Sequence, residues 1–337
     1  MTQRRFTLIL LILTGLLLAT LILSLGVGAV FIPPGRVLGA LLNPSQPGLD
    51  LTDIAIVRDL RLARILLAAL VGAGLAAAGA AFQALFRNPL ADPFIIGASS
   101  GAALGATLAI TLGFTWSVAG FASIPLAAFI GALAAVFVVY LIAGGGGKAT
   151  VIGMLLAGAA LSTVLSSAVS MLMLLRDDNL HEIFAWLMGG FGGRSWPQLW
   201  SCAPYIVFGL AALWLLSRPL DALACGDDTA QSIGLSVSKA RGLVVAAASL
   251  MTAAAVAAGG VIGFVGLVSP HIARILFGAT HRRLIPASAL TGALLTLLAD
   301  DLARTLLAPM ELPVGIITSL LGGTFFLYLL KTRQNEM

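Results

Sequence analysis

A glycine run followed by a lysine is the stretch whose residue types come nearest to a phosphate site. Gly144 to Gly147 and Lys148 resemble part of a phosphate-binding loop, in which backbone amides and a lysine hold the anion. In a phosphate-binding loop, a serine or threonine follows the lysine. The loop also has a first glycine five residues before the glycine that directly precedes the lysine. Here Ala149 follows the lysine and no glycine occupies the earlier position. We interpret the run as a flexible turn and expect no nucleotide site on this chain.

The acidic residues are the other candidates for chemistry. A transporter driven by protons or sodium ions needs carboxylates at mid-membrane. Asp300, Asp301 and Glu311 instead fall at an outer helix end or loop, and no other carboxylate lies deep in an apolar run. His181 beside Glu182 is compatible with a metal or proton site, but a solvated loop histidine is the simpler interpretation. We therefore expect no catalytic residue, no bound metal and no ion coupling.

Composition assigns the chain to membrane proteins. Hydrophobic residues make up 59% of the chain, charged residues 10%, and the mean hydropathy is +1.05. Soluble domains have about a quarter of their residues charged. The apolar runs are long and continuous, which excludes a β-barrel with its alternating segments of about ten residues. The sequence predicts one all-α transmembrane domain over residues 1–337.

The apolar runs predict about ten spans. The first could also be a twin-arginine or secretory signal, but it is longer than a signal core and is expected to remain as an anchor. The predicted spans cover residues 6–32, 65–86, from 94 onward, 117–143, 151–175, 199–216, from 243 to a glycine pair, 260–277, 284–299 and 312–330.

The third span carries its own packing signal. Gly97, Gly101 and Gly105 recur every four residues, which predicts close approach of another helix. We expect this span to begin at Phe94, with Asp92 and Pro93 forming its start.

Charge decides whether the run from Leu243 to Val268 is one span or two. A break at Gly259 and Gly260 gives ten spans and places most of the 19 lysines and arginines inside. An unbroken run gives nine spans and places the majority outside, against the positive-inside rule. Ten spans put both termini in the cytoplasm. Two halves of five crossings must have opposite orientation, so an inverted repeat is expected.

The polar segment at residues 218–241 is the longest water-compatible stretch. Gly226, Asp227 and Asp228 begin a short predicted helix, Ala230 and Ile233 give it an apolar face, and Gly234 ends it. Such a helix fits a groove on a partner protein, and a surface helix that only orders the loop is the alternative.

Several ordered motifs resemble one transporter family. They are RNPLADPFIIGASSGAALGA (87–106), WLMGGFGG (186–193), GFVGLVSPHIAR (263–274), LADDLAR (298–304) and ELPVGIITSLLGG (311–323). These strings are similar to the FecCD-type permeases of ABC importers for iron chelates, haem and cobalamin. The resemblance extends from about residue 55 to the C-terminus.

The resemblance implies a type II importer in the bacterial cytoplasmic membrane. It implies a homodimer of this permease, two cytoplasmic ATPase subunits that hold ATP and magnesium, and an extracytoplasmic binding protein. This chain would bind no cofactor or nucleic acid and would not be an enzyme. The implied residues are Gly226, Asp227, Asp228, Ala230, Ile233 and Gly234 for ATPase coupling, Arg61, Arg64 and Arg304 for binding-protein docking, and Asn88, Pro89 and Leu90 for the cytoplasmic gate.

Three questions stay open at this stage. The three docking arginines, expected to be partly exposed, could instead reach toward lipid headgroups. An ion-coupled secondary transporter is the rival class, although a membrane-embedded charge is missing. An apolar path suits a metal wrapped in an organic shell better than a bare cation. A ferric siderophore or haem is the expected cargo, with cobalamin as the alternative, because iron-chelate members are numerous in the family.

Overall fold

The computed structural model describes residues 3–44, 49–114, 116–118, 121–144 and 150–334. In chain order the elements are α1 (Gln3–Gly26), α2 (Pro34–Leu42), α3 (Leu51–Ala55), α4 (Leu62–Leu85), α5 (Ala98–Thr111), β1 (Ser117–Val118), β2 (Phe121–Ala122), α6 (Ser123–Ile142), α7 (Val151–Leu175), α8 (Leu180–Leu187), α9 (Trp196–Leu215), α10 (Ser217–Ala224), α11 (Asp227–Ser232), α12 (Val237–Gly259), α13 (Val265–Phe277), α14 (His281–Thr305) and α15 (Val314–Gln334). A π-helical stretch, Ile56–Arg61, joins α3 to α4, and β1 pairs antiparallel with β2.

The helices confirm the predicted all-α membrane bundle. Seven helical stretches in the described residues are long and apolar enough to cross a membrane: α1, the continuous stretch Leu51–Leu85, α6, α7, α9, α12 and α14. Three shorter apolar helices, Ala98–Thr111, Val265–Phe277 and Val314–Tyr328, complete the ten predicted spans. The predicted turn from Gly145 to Lys148 lies outside the described residues.

Helices α4 and α12 form the centre of the bundle, whereas α1 and α7 are mostly exposed. Glycine allows the central backbones to touch. A Cβ added at Gly79 would lie 1.8 Å from the carbonyl oxygen of Gly266, and one at Gly72 would lie 2.3 Å from that of Gly292. No side chain fits in such gaps, so α4 contacts α13 and α14 through bare backbone.

The third span packs as its glycines predict but begins later than expected. A Cβ at Gly101 would lie 2.3 Å from the Gly131 carbonyl oxygen, and one at Gly105 would lie 2.1 Å from that of Ala127, both on α6. The predicted start at Phe94 is wrong. Asp92 does accept a hydrogen bond from the Phe94 amide (2.8 Å), but the chain then forms a turn. Gly97 has a φ of +85°, which no helical residue adopts, and α5 starts only at Ala98.

The predicted break after α12 is confirmed. Gly260 has a φ of +70°, and a Cβ there would lie 2.5 Å from the Trp186 carbonyl oxygen, so only glycine fits. Helix α13 begins at Val265 behind Phe264, whose φ is +67°. The third helix of each half, α5 and α13, is thus short and preceded by a left-handed residue. The predicted inverted repeat of five spans itself stays a prediction.

The bundle has two ends of different character. The N-terminus of α4 and the C-terminus of α14 meet at one end, which we name the arginine end after Arg61, Arg64 and Arg304. Helix α4 is about 36 Å long at 1.5 Å per residue, so the turn that follows it lies at the opposite end. We name this second end the Asn88 end. It also carries α10 and α11, because α10 contacts α4 and α14 there.

Candidate functional site

A buried carboxylate organises the arginine end. Asp300 on α14 is 0% exposed and accepts hydrogen bonds from Arg64, with Nη2 at 2.9 Å and Nε at 3.1 Å from Oδ1. Its Oδ2 lies 3.2 Å from Nε of Arg304, one helical turn further along α14. A carboxylate buried between two guanidinium groups is stabilised only while both remain in place.

Two more carboxylates complete this cluster. Glu311, in the loop between α14 and α15, accepts from Nη1 of Arg64 at 2.8 and 2.9 Å. Asp301 forms an ion pair with Arg304 and accepts a 2.5 Å hydrogen bond from the Ser24 hydroxyl on α1. The cluster therefore ties α1, α4, α14 and the start of α15 together.

The expectation that the three docking arginines are partly exposed is wrong. Arg61, Arg64 and Arg304 are 8%, 9% and 3% exposed. Arg61 donates to the carbonyl oxygens of Leu25 (2.8 Å) and Val30. Arg304 donates to the Val27 carbonyl oxygen in the loop after α1 (2.8 Å), and Arg64 and Arg304 pair with internal carboxylates, so the three charges are engaged inside the chain. Their proposed contact with a binding protein remains a prediction.

At the Asn88 end, α10 and α11 form a paired helical segment. Gly226 precedes α11 with a φ of +111°, and Gly234 follows it with a φ of +83°, as the sequence predicted for a short helix with glycine at both ends. Asp227 pairs with Arg241 of α12, with an Oδ2 to Nη2 distance of 2.7 Å. The segment is held against the bundle and projects its remaining residues outward.

The predicted apolar face of α11 is divided between two environments. Ala230 is 0% exposed and packs in the core of this chain, whereas Ile233 is 69% exposed. The expectation that both face a partner groove is therefore wrong for Ala230. At the end of a six-residue helix the chain turns outward at Ile233, which explains the difference. The exposed residues are Asp228, Thr229, Gln231, Ser232, Ile233 and Gly234.

The turn after α4 lies directly beside this segment. Arg87, Asn88, Pro89 and Leu90 are exposed, and the Asn88 side chain accepts a hydrogen bond from the Leu90 amide at 2.9 Å. A Cβ at Gly226 would lie 3.4 Å from Nη1 of Arg87. Gly226, which was predicted for coupling, therefore lies beside Arg87, the residue that immediately precedes the predicted gate residues.

A cavity of about 980 Å³ opens between the turn and α10. Its walls include Gln83, Arg87, Cys225, Arg274 and His281. Open space beside an exposed turn gives that turn room to move without disturbing the core.

A polar contact fixes α10 to α14 across this cavity. The Asp221 carboxylate accepts from the His281 amide at 2.9 Å and lies 2.6 Å from Nδ1 of the same residue. Burial raises the pKa of Asp221, but these contacts with His281 outweigh it and hold the pKa below its usual value. This contact links α10 to α14, whose C-terminal end lies at the arginine end.

Asp92 is the acidic group of the turn between α4 and α5. Burial raises its pKa to about 6, against the opposing effect of the hydrogen bond from the Phe94 amide. Its charge is therefore poorly solvated at neutral pH.

Comparison with known proteins identifies the family. A family model described as the FecCD transport family matches residues 16–332. The chain belongs to the FecCD transport family. It is therefore the membrane-spanning permease subunit of an ABC importer, as the motifs predicted.

Individual FecCD relatives agree with this assignment. The chain is 45% identical to a cobalamin import system permease protein of Halobacterium salinarum over 88% of this chain and 78% of the relative. It is 38% identical to an Fe(3+)-citrate import system permease protein of Bacillus subtilis, over 98% and 96% of the two chains. A solved structure described as an inward-facing metal-chelate type ABC transporter superimposes with a TM-score of 0.84 at 34% identity, over 96% of this chain and 99% of that one.

Sequence reasoning missed a polar stripe on the FecCD fold. Thr163, Ser166, Ser167 and Ser170 lie on one face of α7, and all four are exposed. Their spacing of three and four residues was a readable signal, because it places hydroxyl groups along one side of a membrane span. The translocation path was expected to be apolar, and that expectation did not include this exposed polar surface.

Proposed function

We propose that this FecCD permease imports a chelated metal as a homodimer driven by two ATPase subunits. The observation that carries the proposal is the contact between α10–α11 and the Asn88 turn, because it joins a protruding helix to a turn beside an open cavity. ATP and magnesium would be held by the ATPase subunits, and this chain would hold no cofactor. The whole chain forms one permease domain, and its coupling loop covers residues 218–241.

The Asn88 end is proposed to face the cytoplasm. Arg87, Arg218, Lys239, Arg282 and Arg283 lie at or beside that end of the helices, as the positive-inside rule requires of a cytoplasmic face. With ten spans, both termini then lie on the cytoplasmic side of the cytoplasmic membrane. The arginine end faces outward, where a binding protein arrives.

The coupling role is assigned to the exposed part of α11. Ile233 supplies an apolar contact for the ATPase, and Asp228 supplies charge at the N-terminus of the helix. Asp227 and Ala230 act indirectly, because they hold α11 against α12 and the core. Asn88, Pro89 and Leu90 form the cytoplasmic gate, next to the helix that moves them.

A second copy of the chain is proposed to cover α7. The exposed hydroxyl stripe of Thr163, Ser166, Ser167 and Ser170 is unfavourable against lipid tails alone but suits a partly hydrated path between two copies. Thr163, Ser167 and Ser170 already donate to carbonyl oxygens one turn earlier, which leaves their lone pairs to accept from a passing ligand.

The arginine end is proposed to receive the binding protein. Arg61, Arg64 and Arg304 support this face by holding the loop after α1 and Glu311 in position. For any of these arginines to bind the binding protein directly, an acidic side chain of that protein must replace the carboxylate or carbonyl group that the arginine now contacts. This requirement favours an interface that selects its partner by shape over one held by long-range electrostatic attraction.

The proposed cargo is a ferric chelate or haem. A hydroxyl-lined path offers weak acceptors to an organic shell but no set of ligands for a bare cation. Cobalamin is the competing cargo, favoured by the 45% identical relative. The test is uptake into vesicles containing the permease and its ATPase subunits, with the binding protein that co-purifies, supplied with ferric citrate, haem or cobalamin in turn. Uptake of a ferric chelate or haem supports the proposal; uptake of cobalamin alone selects the competitor, and uptake of unchelated iron contradicts both.

A further inference from the structure

Arg194 is the cation of the arginine end whose role is unassigned. It lies in the loop between α8 and α9, after Gly193, whose φ is +67°, and before Ser195, which caps α9 with Gln198. Two cavities of about 430 and 480 Å³ meet at its side chain. Arg64 and Glu311 also line both cavities.

Among the described residues, the Arg194 guanidinium differs from those of Arg61, Arg64 and Arg304 in having no hydrogen-bond acceptor. Within the described residues its guanidinium makes no hydrogen bond or ion pair, and its Nε atom is buried without a partner. Burial lowers the pKa of Arg194, with no compensating contact. A partly desolvated charge without a partner is unfavourable, so the site gains free energy from any anion that reaches it.

The nearby carboxylates are engaged elsewhere. Asp300 binds Arg64 and Arg304, Asp301 binds Arg304 and Ser24, and both oxygens of Glu311 accept from Arg64. Glu182 is exposed on the wall of the 430 Å³ cavity and makes no bond to Arg194 in the described chain. Arg194 therefore adds a positive charge that the cluster does not neutralise.

We propose that Arg194 is the receptor for a carboxylate presented from outside the chain. A guanidinium binds a carboxylate through parallel hydrogen bonds, and the two cavities leave space for the incoming group beside Glu311 and Gly192. The carboxylate has two possible sources, an acidic side chain of the binding protein or an acidic arm of the cargo chelate. The choice of source rests on the proposed function, whereas the site itself does not.

The site is tested on the permease alone in lipid nanodiscs, with citrate as the probe at constant ionic strength. Saturable quenching of tryptophan emission is expected, with affinity at least about tenfold weaker in Arg194→Met because a charge-assisted contact is lost. Arg194→Lys should recover part of the affinity.

Arg36→Met is the matched control, since Arg36 is exposed and already paired with Asp53 at 3.2 Å. Thermal stability of Arg194→Met should not fall, because no internal bond is removed. Equal responses of wild type and Arg194→Met overturn the proposal.

The source of the carboxylate is tested in the complete transporter. If the binding protein supplies it, Arg194→Met should raise the half-saturating concentration of loaded binding protein severalfold and leave the maximal rate unchanged. If the cargo supplies it, the maximal rate should fall with half-saturation unchanged. Wild-type values of both quantities in Arg194→Met overturn the proposal. Failure of the wild type to transport refutes the proposed function, while citrate binding still decides the site.

Discussion

At the scale of single residues, Asp300 connects the helices that meet at the arginine end. Its side chain is fully buried, and its negative charge partly neutralises the guanidinium groups of Arg64 on α4 and Arg304 on α14. The neutral amide of Asp300→Asn would leave those cations less compensated in a site of low polarity. We expect a loss of about 3 kcal/mol in stability, since breaking buried pairs is strongly unfavourable. Thermal unfolding in detergent measures it.

The matched control is Asp53→Asn. Asp53 pairs with Arg36, whose side chain is 58% exposed, so its loss should cost less than about 1 kcal/mol. Equal destabilisation by both substitutions would show that burial of Asp300 contributes nothing.

Asp92 predicts a pH dependence of unfolding. Its pKa is about 6 in the folded chain, above the ordinary value of 3.8, so folding favours the protonated form. Ionised Asp92 therefore lowers stability above pH 6, and this penalty disappears as the pH falls toward 4. Asp92→Asn keeps an oxygen for the Phe94 amide and should be more stable than wild type at pH 7.5 by on the order of 1 kcal/mol. The difference should shrink at pH 5; a difference constant with pH would contradict the account.

At the scale of elements, α11 separates two functions in six residues. Its inner side anchors the segment, and Ile233 at its end is presented to solvent. Ile233→Glu should leave folding within about 0.5 kcal/mol of wild type, because the side chain is exposed. In a docked interface the same charge is costly, and stimulation of the ATPase subunits by loaded binding protein should fall at least about tenfold.

Leu51→Glu is the control for that substitution. Leu51 is 81% exposed and begins α3 at the arginine end, so it tests an added charge away from the coupling segment. Normal stimulation in Ile233→Glu would remove Ile233 from the coupling interface.

The exposed hydroxyl stripe on α7 predicts that two copies of the chain meet at this helix. With Cys225 replaced by serine, Ser166→Cys should cross-link to a second copy through a short bis-maleimide, giving a band of doubled mass. Val207→Cys on α9 is the control, because Val207 is also exposed (57%), and it should not cross-link if α9 faces lipid. Cross-linking of Val207→Cys with none at Ser166→Cys would place the interface elsewhere.

Sequence reasoning succeeded where a local pattern determines the structure. The bounds of α7 and the break at Gly259 and Gly260 follow from apolar runs and from glycines that alone fit the backbone. It failed where partners come from distant segments. The buried side chain of Arg61 bonds to the carbonyl groups of Leu25 at the end of α1 and of Val30 in the loop that follows, and the burial of Ala230 depends on packing against the bundle. Neither neighbour can be inferred from residue types nearby in sequence.

At the scale of the whole molecule, the bundle connects the arginine end to the Asn88 end, the two faces proposed to dock partners. The α10–α11 segment contacts the Asn88 turn, and Asp221 with His281 ties α10 to α14. Helix α14 extends to the cluster around Asp300. The two ends are therefore joined by a continuous series of packed contacts.

The central claim is that energy enters through partner ATPases and not through an ion gradient. The decisive measurement is uptake of chelated metal into vesicles that contain the permease and its ATPase subunits, with loaded binding protein on the arginine end and ATP on the Asn88 end. We predict accumulation that requires hydrolysable ATP and persists when ionophores abolish proton and sodium gradients. Accumulation that continues without ATP and stops with the ionophores would contradict the account.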